Sequence, residues 1–246
     1  MPYLLGIDIG SSTTKAAVRR VTGGSHSPVR PVPLDARSRT VSSALVLTSA
    51  GVIAPAGAGD DGVTDPVRGF LRRVGDRTPF LLGDNYYQAP ELVAAMARWV
   101  ADVLWIREDE LPEQTAIAYP TGWGPARLGL LRAALDEVGL GGVVLVTRAR
   151  AVTEHHQAAG RLPMGGGVLA VCRIGGSSVE VSAVSAREPG RLEILRSAEL
   201  DELGGWELAD AGPDVARAIV DFTLRTVPED LGAIMIAGGA GATESP

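Results

Sequence analysis

The chain has 246 residues, of which 46% are hydrophobic and 21% are charged, a composition typical of one large globular domain or two smaller ones. Its formal net charge is −6 and acidic and basic residues are interspersed, which argues against a basic face for nucleic acid. The single cysteine, Cys172, excludes an internal disulfide and any metal or iron–sulfur site that needs several thiolates from one chain.

The first half of the chain predicts a strand pair, a loop region and a long helix. Residues 3–9 have the length and apolar character of a buried strand, and residues 15–21 read as its antiparallel return strand after the turn GSSTT. A Gly-, Ser- and Pro-rich loop over 22–35 precedes a second strand pair over 40–54. In the helix that begins near Pro90, four apolar residues recur at spacings of four, three and four and share one buried face. They are Leu92, Met96, Trp99 and Val103.

The second half predicts alternating strands and helices. Residues 115–120 form a short strand that ends at a proline, and the next helix has Pro125 in its first turn and Gly139 at its end. A strand over 142–147 leads into a helix over 148–162. Three strands, a helix and a last strand with a glycine turn complete the chain, over 168–174, 178–184, 191–200, 214–227 and 232–242.

One pattern, a strand, a glycine turn and a second strand, occurs twice, over residues 3–20 and 168–184. Each copy is followed by further strands and helices, which is typical of an α/β architecture. The repetition predicts two related α/β lobes with a hinge near residues 160–167. We place lobe I at residues 1–160 and lobe II at residues 161–246.

The first glycine turn, DIGSSTT, is a candidate for binding an anion. Asp8 ends the strand and Gly10 forms the bend, where backbone N–H groups can approach an anion closely. The carboxylate of Asp8 could hold a water molecule or Mg²⁺ beside a phosphate. An ordinary hairpin turn explains the same residues equally well. The turn offers further hydroxyl donors from Ser11, Ser12, Thr13 and Thr14.

Two later turns repeat the pattern in part. The second, RIGGSS, has the same shape, but Arg173 stands where the first turn has an acid. The third, IAGGAGA, is a strand end with several glycines. Taken alone, such a glycine cluster is commonly a loop, so the order and spacing of the three turns carry more weight than any one of them.

The set of motifs resembles the nucleotide-binding domain of the DnaK-type heat-shock protein 70 chaperones, in the actin-like ATPase superfamily. GIDIGSSTTKAAV (6–18) is similar to the first phosphate motif, VCRIGGSSVEVS (171–182) to the second, and IMIAGGAGA (234–242) to the adenosine motif. Three more segments lie where the family has its connecting strand and helix, the next helix start and a glycine turn. They are AIAYPTGWGPARLGLLRAALDEVGL (116–140), LVTRARAVTEHH (145–156) and DELGGWELAD (201–210).

The resemblance implies an actin-like ATPase fold, which is ribonuclease H-like, with two lobes around a nucleotide cleft for ATP or ADP. Asp8 is the position that it implies for Mg²⁺ or for its bound water. The segment between residues 210 and 234 is too short for the family's helical clamp subdomain, so we expect that subdomain to be reduced or missing. The nucleotide-binding positions implied are Gly10, Ser11, Ser12, Thr13, Gly175, Gly176, Ser177, Ser178, Gly204, Gly205, Gly238 and Gly239.

The chain departs from the family at the residues that carry the chemistry. Arg173 stands where the family has an aspartate before the second turn, and Arg148 falls where it has a glutamate that positions the attacking water. Glu180 matches the acid that the family has after the turn. Ser177 replaces the family's third glycine and Ser178 replaces its threonine, which are milder changes. The lysine that the family places near the γ-phosphate has no counterpart here.

These replacements change the expected chemistry. Phosphoryl transfer in this fold class depends on Mg²⁺ and an oriented water. A guanidinium at contact distance would repel Mg²⁺ by ~1–4 kcal/mol per unit charge. Arginine binds phosphate oxygens well, so a nucleotide can still bind. Arg173 then takes the place of the metal or pairs with Asp8; the structural alternative is an arginine that extends to solvent from a strand end.

The sequence therefore predicts a chaperone-related, ATP-binding pseudoenzyme with little ATP hydrolysis. Two alternatives stay open: a nucleotide-independent actin-like scaffold or regulatory protein, and an active ATPase or small-molecule kinase of the same superfamily. The activases of acyl-CoA dehydratases begin with a similar stretch, but they need cluster cysteines, and Cys172 alone is too few unless a dimer shares it. We expect a cytoplasmic protein whose partners are a nucleotide and, as a further option, another protein, with no nucleic acid and no membrane span.

Overall fold

In a computed structural model, the chain divides into two compact units that both combine strands and helices, which confirms the predicted α/β class. Unit 1 comprises Met1–Tyr119 and Trp123–Leu145, and unit 2 comprises Pro120–Gly122 and Val146–Pro246. The helix predicted from residue 148 therefore lies in unit 2, whereas the sequence boundary at residue 160 assigned it to lobe I. The structure describes residues 2–22, 25–35, 38–58, 64–162, 167–188, 191–201, 203–205, 212–227 and 231–238.

In the described part of the chain, the first nine strands precede the first α-helix, and from that helix onward helices and strands mostly alternate. The strands are β1 (Tyr3–Ile9), β2 (Thr13–Thr22), β3 (Ser25–His26), β4 (Arg30–Val32), β5 (Thr40–Ser42), β6 (Leu45–Leu47), β7 (Ile53–Pro55), β8 (Phe80–Leu82), β9 (Asn85–Tyr87), β10 (Gln114–Tyr119), β11 (Val144–Thr147), β12 (Val168–Ile174), β13 (Ser178–Glu188), β14 (Arg191–Asp201) and β15 (Leu231–Gly238). The helices are α1 (Ala89–Glu108), α2 (Pro125–Glu137), α3 (Arg148–Ala158) and α4 (Pro213–Thr226), with a 3-10 turn at Phe70–Arg73. Among these described helices, none combines the length and the apolar character needed to cross a membrane.

The main sheet of unit 1 is built around β1. Its strand order is β11-β10-β1-β2-β3, and β4 and β5 also pair with β2. β2 runs antiparallel to β1, and β10 runs parallel to β1 on its other side. Alternate residues of β1 are buried, as expected for a strand that faces a core on one side. Those buried residues are Tyr3, Leu5, Ile7 and Ile9.

Helix α1 supplies much of the core of unit 1. The backbone N–H of Gln88 donates to the carboxylate of Glu91 at 2.7 Å, which forms part of a capping box at the helix start. The predicted apolar face is confirmed, because Leu92 and Met96 are fully buried and Trp99 and Val103 pack against the same core. Helix α2 begins at Pro125 as predicted, and Gly139 follows its end with φ +76°.

Unit 2 has a four-stranded sheet with the order β14-β13-β12-β15. β13 runs antiparallel to β12 and β14, and β15 runs parallel to β12. One face of the sheet packs against α4 through a cluster that includes Cys172, Val181 and Ile219. The other face packs against α3 through a cluster that includes Ala149 and Met235.

The two units share one strand arrangement. In each, the first strand lies between an antiparallel partner, which follows it across a glycine turn, and a parallel strand that comes after a helix. Shorter strands differ from the sequence prediction in unit 1. The predicted loop over 22–35 contains β3 and β4, and the predicted pair over 40–54 is split, because β5 joins β2 while β6 and β7 form a hairpin.

Candidate functional site

The first glycine turn connects β1 and β2 in unit 1. The backbone N–H of Gly10 donates to the carbonyl oxygen of Thr13 at 3.0 Å and closes the turn. Ser11 and Ser12 are partly exposed and Thr13 is exposed. The four residues predicted to bind a nucleotide in unit 1 therefore form one turn, in which three side chains with hydroxyl groups reach solvent.

The residues beside this turn have different surroundings. Thr14 is fully buried, and its hydroxyl pairs with the hydroxyl of Ser43 at 2.9 Å, so it belongs to the core and is not a donor for a ligand. Asp8 is partly buried, and its Oδ1 is shielded from solvent. Its cross-strand neighbour in β2 is Lys15, and such neighbours project from the same face of a sheet. Asp8 thus lies at the entrance of the turn with a cation beside it.

The second glycine turn connects β12 and β13 in unit 2. The backbone N–H of Gly175 donates to the carbonyl oxygen of Ser178 at 2.8 Å. The N–H of Gly205 donates in turn to the carbonyl oxygen of Gly175, also at 2.8 Å. The hairpin turn is therefore bound directly to the glycine segment that follows β14.

Close packing requires glycine in that segment. A Cβ atom at Gly204 would lie 2.5 Å from the carbonyl oxygen of Gly176 and 2.7 Å from the backbone nitrogen of Ser177. Both atoms belong to the backbone, so no side-chain movement could make room for it. Glycine lets the two backbone segments touch, as in sites where backbone groups must approach a ligand.

The last strand ends at the same place. Gly238 is the register partner of Ile174, the last residue of β12, and has φ +138°, which side-chain-bearing residues rarely adopt. A Cβ atom at Gly238 would collide with the carbonyl oxygen of Ile174. Gly239, which was also predicted to bind a nucleotide, lies outside the described residues.

The structure thus brings most of the predicted residues of unit 2 together at one end of its sheet. β12 and β15 end there, and the segment after β14 packs onto the hairpin turn. The residues concerned are Gly175, Gly176, Ser177, Ser178, Gly204, Gly205 and Gly238. Gly10, Ser11, Ser12 and Thr13 form the separate turn of unit 1.

A buried ion pair lies next to the second turn. Nη1 of Arg148, at the start of α3, is 3.5 Å from Oε2 of Glu180 in β13, and each side chain is only 5% exposed. The backbone N–H of Thr121 donates to Oε1 of the same carboxylate at 3.0 Å. Arg148 is therefore not a solvent-exposed replacement for an acid, because its charge is balanced by Glu180 inside unit 2.

Thr121 is a residue whose role sequence reasoning missed. Besides its backbone contact with Glu180, its hydroxyl accepts a hydrogen bond from the backbone N–H of Ala149 at 3.1 Å. It thereby satisfies one of the open donors at the start of α3, and Thr147 satisfies another by accepting from Arg150. The only local signal is a threonine directly after a strand that ends in proline, which is too common to predict this link.

Arg173 lies on the same face of the sheet as this ion pair. It is the register partner of Glu180 in the β12–β13 ladder, and such partners have side chains on one side. Its Nη1 is 3.7 Å from the position that a Cβ at Gly175 would take, so the guanidinium of Arg173 lies beside the hairpin turn. Arg173 is partly buried, which differs from a side chain that extends into bulk water.

The donor set beside the second turn does not fit a directly coordinated Mg²⁺. Magnesium prefers oxygen ligands, but the buried carboxylate of Glu180 is already bound by Arg148 and Thr121. The other carboxylate beside the turn, Asp201, is the exposed register partner of Ser178 at the end of β14. Among the described residues, no group of three or more His, Cys, Asp and Glu side chains could hold a metal ion. In unit 1, Asp8 stays the predicted position for Mg²⁺ or its water.

Cys172 is buried in the core beneath α4. Burial raises the pKa of its thiol, and the Thr223 hydroxyl, 3.8 Å from Sγ, lowers it by a smaller amount. The thiol is therefore held in its protonated form, which is a poor nucleophile and metal ligand.

No protein-family model matches this chain, and no curated protein matches it either. The function is therefore inferred from the motifs and from the geometry of the two units.

Proposed function

We propose that this chain is a nucleotide-binding protein of the actin-like ATPase superfamily, related to the heat-shock protein 70 chaperones, that binds ATP or ADP and hydrolyses ATP little or not at all. The meeting of three glycine segments at one end of the unit 2 sheet supports this most directly. Gly204 and Gly238 pack where no Cβ fits, and backbone of this kind lets N–H groups approach phosphate oxygens.

The strand order of the two units supports the fold part of the proposal. The resemblance implies two related lobes that each begin with a strand, a phosphate-binding turn and a return strand. Units 1 and 2 each begin their main sheet with such a hairpin, and each adds a parallel strand beside the first. This repetition at both predicted phosphate motifs is what the resemblance implies, and it therefore supports the proposal.

The charges beside the second turn support weak or absent hydrolysis. Arg148 at the start of α3 and Arg173 in β12 stand where the resemblance implies two acids. Glu180 forms an ion pair with Arg148 and is the register partner of Arg173. In the family that the chain resembles, those two acids hold Mg²⁺ and orient water, which an arginine cannot do. A guanidinium near the turn instead favours phosphate oxygens directly, because its N–H groups form charge-assisted hydrogen bonds.

The proposal can be tested by isothermal titration calorimetry, which measures the affinity of the protein for ATP and for ADP, each in the presence of Mg²⁺ and in EDTA. We expect both nucleotides to bind and the affinity to change by less than about tenfold when Mg²⁺ is removed, because arginine supplies the positive charge. Phosphate release from ATP should stay at the rate of the uncatalysed reaction. Nucleotide binding in neither condition would support the scaffold alternative, and steady turnover would support an active ATPase or kinase.

Substitution of Arg173 by aspartate tests the role of its charge. Arg173→Asp should weaken ATP binding in EDTA by about tenfold or more, since a charge-assisted hydrogen bond contributes about 1.5–3 kcal/mol. Arg196→Asp is the matched control, because it makes the same charge change at an exposed residue of β14. If the two variants bind ATP equally well in EDTA and in Mg²⁺, Arg173 does not replace the metal.

A further inference from the structure

Three large apolar side chains are exposed at the carboxyl-terminal end of α1. Trp105 and Ile106, in the last turn of the helix, are 49% and 81% exposed. Leu111, two residues after the residue that caps the helix, is 70% exposed. Groups of large apolar side chains on a protein surface often mark a contact with another molecule. We call these three residues the α1 end patch.

Hydrogen bonds fix the backbone that carries the α1 end patch. The N–H of Asp109, a left-handed residue, donates to the carbonyl oxygen of Trp105 at 2.9 Å and closes the last turn. The Tyr3 hydroxyl donates to the carbonyl oxygen of Glu110 at 3.0 Å, and the N–H of Glu113 donates to the carbonyl oxygen of Tyr3 at 2.8 Å. The third residue of the patch lies between these two anchors. The patch is therefore held in one conformation, which lowers the entropic cost of binding a partner.

The charges around the patch are mainly acidic. Residues 105–113 contain four acids and one arginine. Glu108 forms an ion pair with Arg20, and Arg107 donates to the carbonyl oxygen of Pro33. The other three acids are all exposed, and they are Asp109, Glu110 and Glu113.

One of these acids lies directly beside the apolar side chains. Asp109 follows Trp105 by four positions and Ile106 by three, and side chains at these spacings are neighbours on a helix surface. The surface at the end of α1 therefore combines an apolar centre with carboxylates at its rim.

The charges distinguish between the occupants that an apolar surface could have. A second copy related by a two-fold axis would bring the patch against itself, so that acid would face acid, which is unfavourable. An anionic membrane surface would repel the same carboxylates. A basic partner fits both features, because its apolar side chains can cover the patch while its cations approach the acids.

We propose that the α1 end patch is a docking surface for a basic segment of another protein, in which apolar side chains are interspersed with lysine or arginine. Trp105 supplies the main contact area, since tryptophan is among the residues that contribute most to binding energy in interfaces. The carboxylates at the rim favour basic segments over acidic ones. The patch lies within unit 1, and the inference does not rest on nucleotide binding.

Selection from a phage-displayed library of short random peptides tests this surface. The intact chain is the target, and the Ile106→Lys variant serves for counter-selection, which removes peptides that bind elsewhere. Because Ile106 is so exposed, this substitution should leave the core of unit 1 unchanged. We expect the selected peptides to be rich in lysine and arginine and to contain large apolar residues. If no selected peptide depends on Ile106, or if the peptides show no excess of basic residues, the proposal is wrong.

Calorimetry with a selected peptide in synthetic form separates the apolar and charge contributions. Ile106→Lys should weaken binding by about tenfold or more, because it removes apolar area and repels the basic peptide. Asp109→Asn with Glu113→Gln should weaken binding by about threefold to tenfold in low salt and by less in high salt, because salt screens exposed charges. Asparagine adopts the left-handed conformation readily, so the helix end is kept.

A control variant accounts for the change in net charge. Leu130→Lys makes the same charge change at a side chain of α2 that is 47% exposed, and it should leave the peptide affinity unchanged. If Leu130→Lys weakens binding as much as Ile106→Lys does, the peptide responds to net charge alone and the patch is not its docking surface.

Two further measurements test the other occupants. Sedimentation velocity measures self-association of the wild-type chain and of Ile106→Lys, and flotation with phosphatidylglycerol vesicles measures membrane binding of the same two proteins. We expect neither property to depend on Ile106. Self-association that is lost in Ile106→Lys would assign the patch to a second copy, and vesicle binding that is lost in this variant would assign it to a lipid surface; either result would overturn the proposal.

Discussion

Neutralising Glu180 should destabilise unit 2 strongly, because the change leaves Arg148 charged and buried. The nearest atoms of the pair are 3.5 Å apart. At an effective dielectric constant of ~20, two unit charges at that distance attract by about 5 kcal/mol. Burial of both groups costs several kcal/mol per ion, so the pair itself contributes little net stability, but loss of one member should cost about 3–5 kcal/mol.

Glu180→Gln is the sharpest form of this experiment. Glutamine keeps the size of the side chain and an oxygen for the backbone N–H of Thr121, so only the charge is lost. Glu154→Gln is the matched control on α3. The carboxylate of Glu154 is 2.7 Å from Nε of Arg150, but the two side chains are 48% and 58% exposed. An exposed pair of this kind is worth about 0.3–0.5 kcal/mol.

Urea unfolding followed by circular dichroism measures both changes in the free energy of unfolding. The double variant Arg148→Met with Glu180→Gln should be more stable than Glu180→Gln alone, because it removes the unbalanced charge. In raised salt, the Glu180→Gln effect should persist, while any effect of Glu154→Gln should shrink. If Glu180→Gln costs no more than Glu154→Gln, the ion pair is not buried as described and the reasoning is refuted.

Two further predictions concern packing and pH. Gly204→Ala should clearly lower the thermal unfolding temperature, because its Cβ would lie 2.5 Å from the carbonyl oxygen of Gly176. Gly142→Ala is the control and should have little effect, because no atom lies within 4 Å of a Cβ at that position. Equal melting temperatures of the two variants would contradict the close packing. Because burial raises the pKa of Cys172 above its unfolded value, its contribution to stability is complete below the ordinary thiol pKa and declines as the pH rises through the folded pKa. Urea unfolding at alkaline pH should therefore show a loss of stability that is smaller in Cys172→Ala, and identical pH slopes for the two proteins would argue against a buried thiol.

Local sequence patterns determined most of the regular structure. Strand β1 and the buried face of α1 follow from apolar spacing, and the ends of α2 follow from Pro125 and Gly139, because each signal lies within a few residues of the feature that it specifies. The hairpin turns at Gly10 and Gly175 could be predicted for the same reason. The repeated pattern of strand and glycine turn predicts two related lobes, and each unit contains a hairpin of this kind.

Only the tertiary structure decided which distant residues meet. Arg148 pairs with Glu180 across 32 positions of sequence, and Thr121 joins both the carboxylate and the start of α3. The sequence shows Arg148 where the resemblance implies an acid, but it does not show that Glu180 balances this positive charge inside the same unit. Contacts of this kind depend on how strands and helices pack, and packing is set by the whole chain and not by any short segment of it.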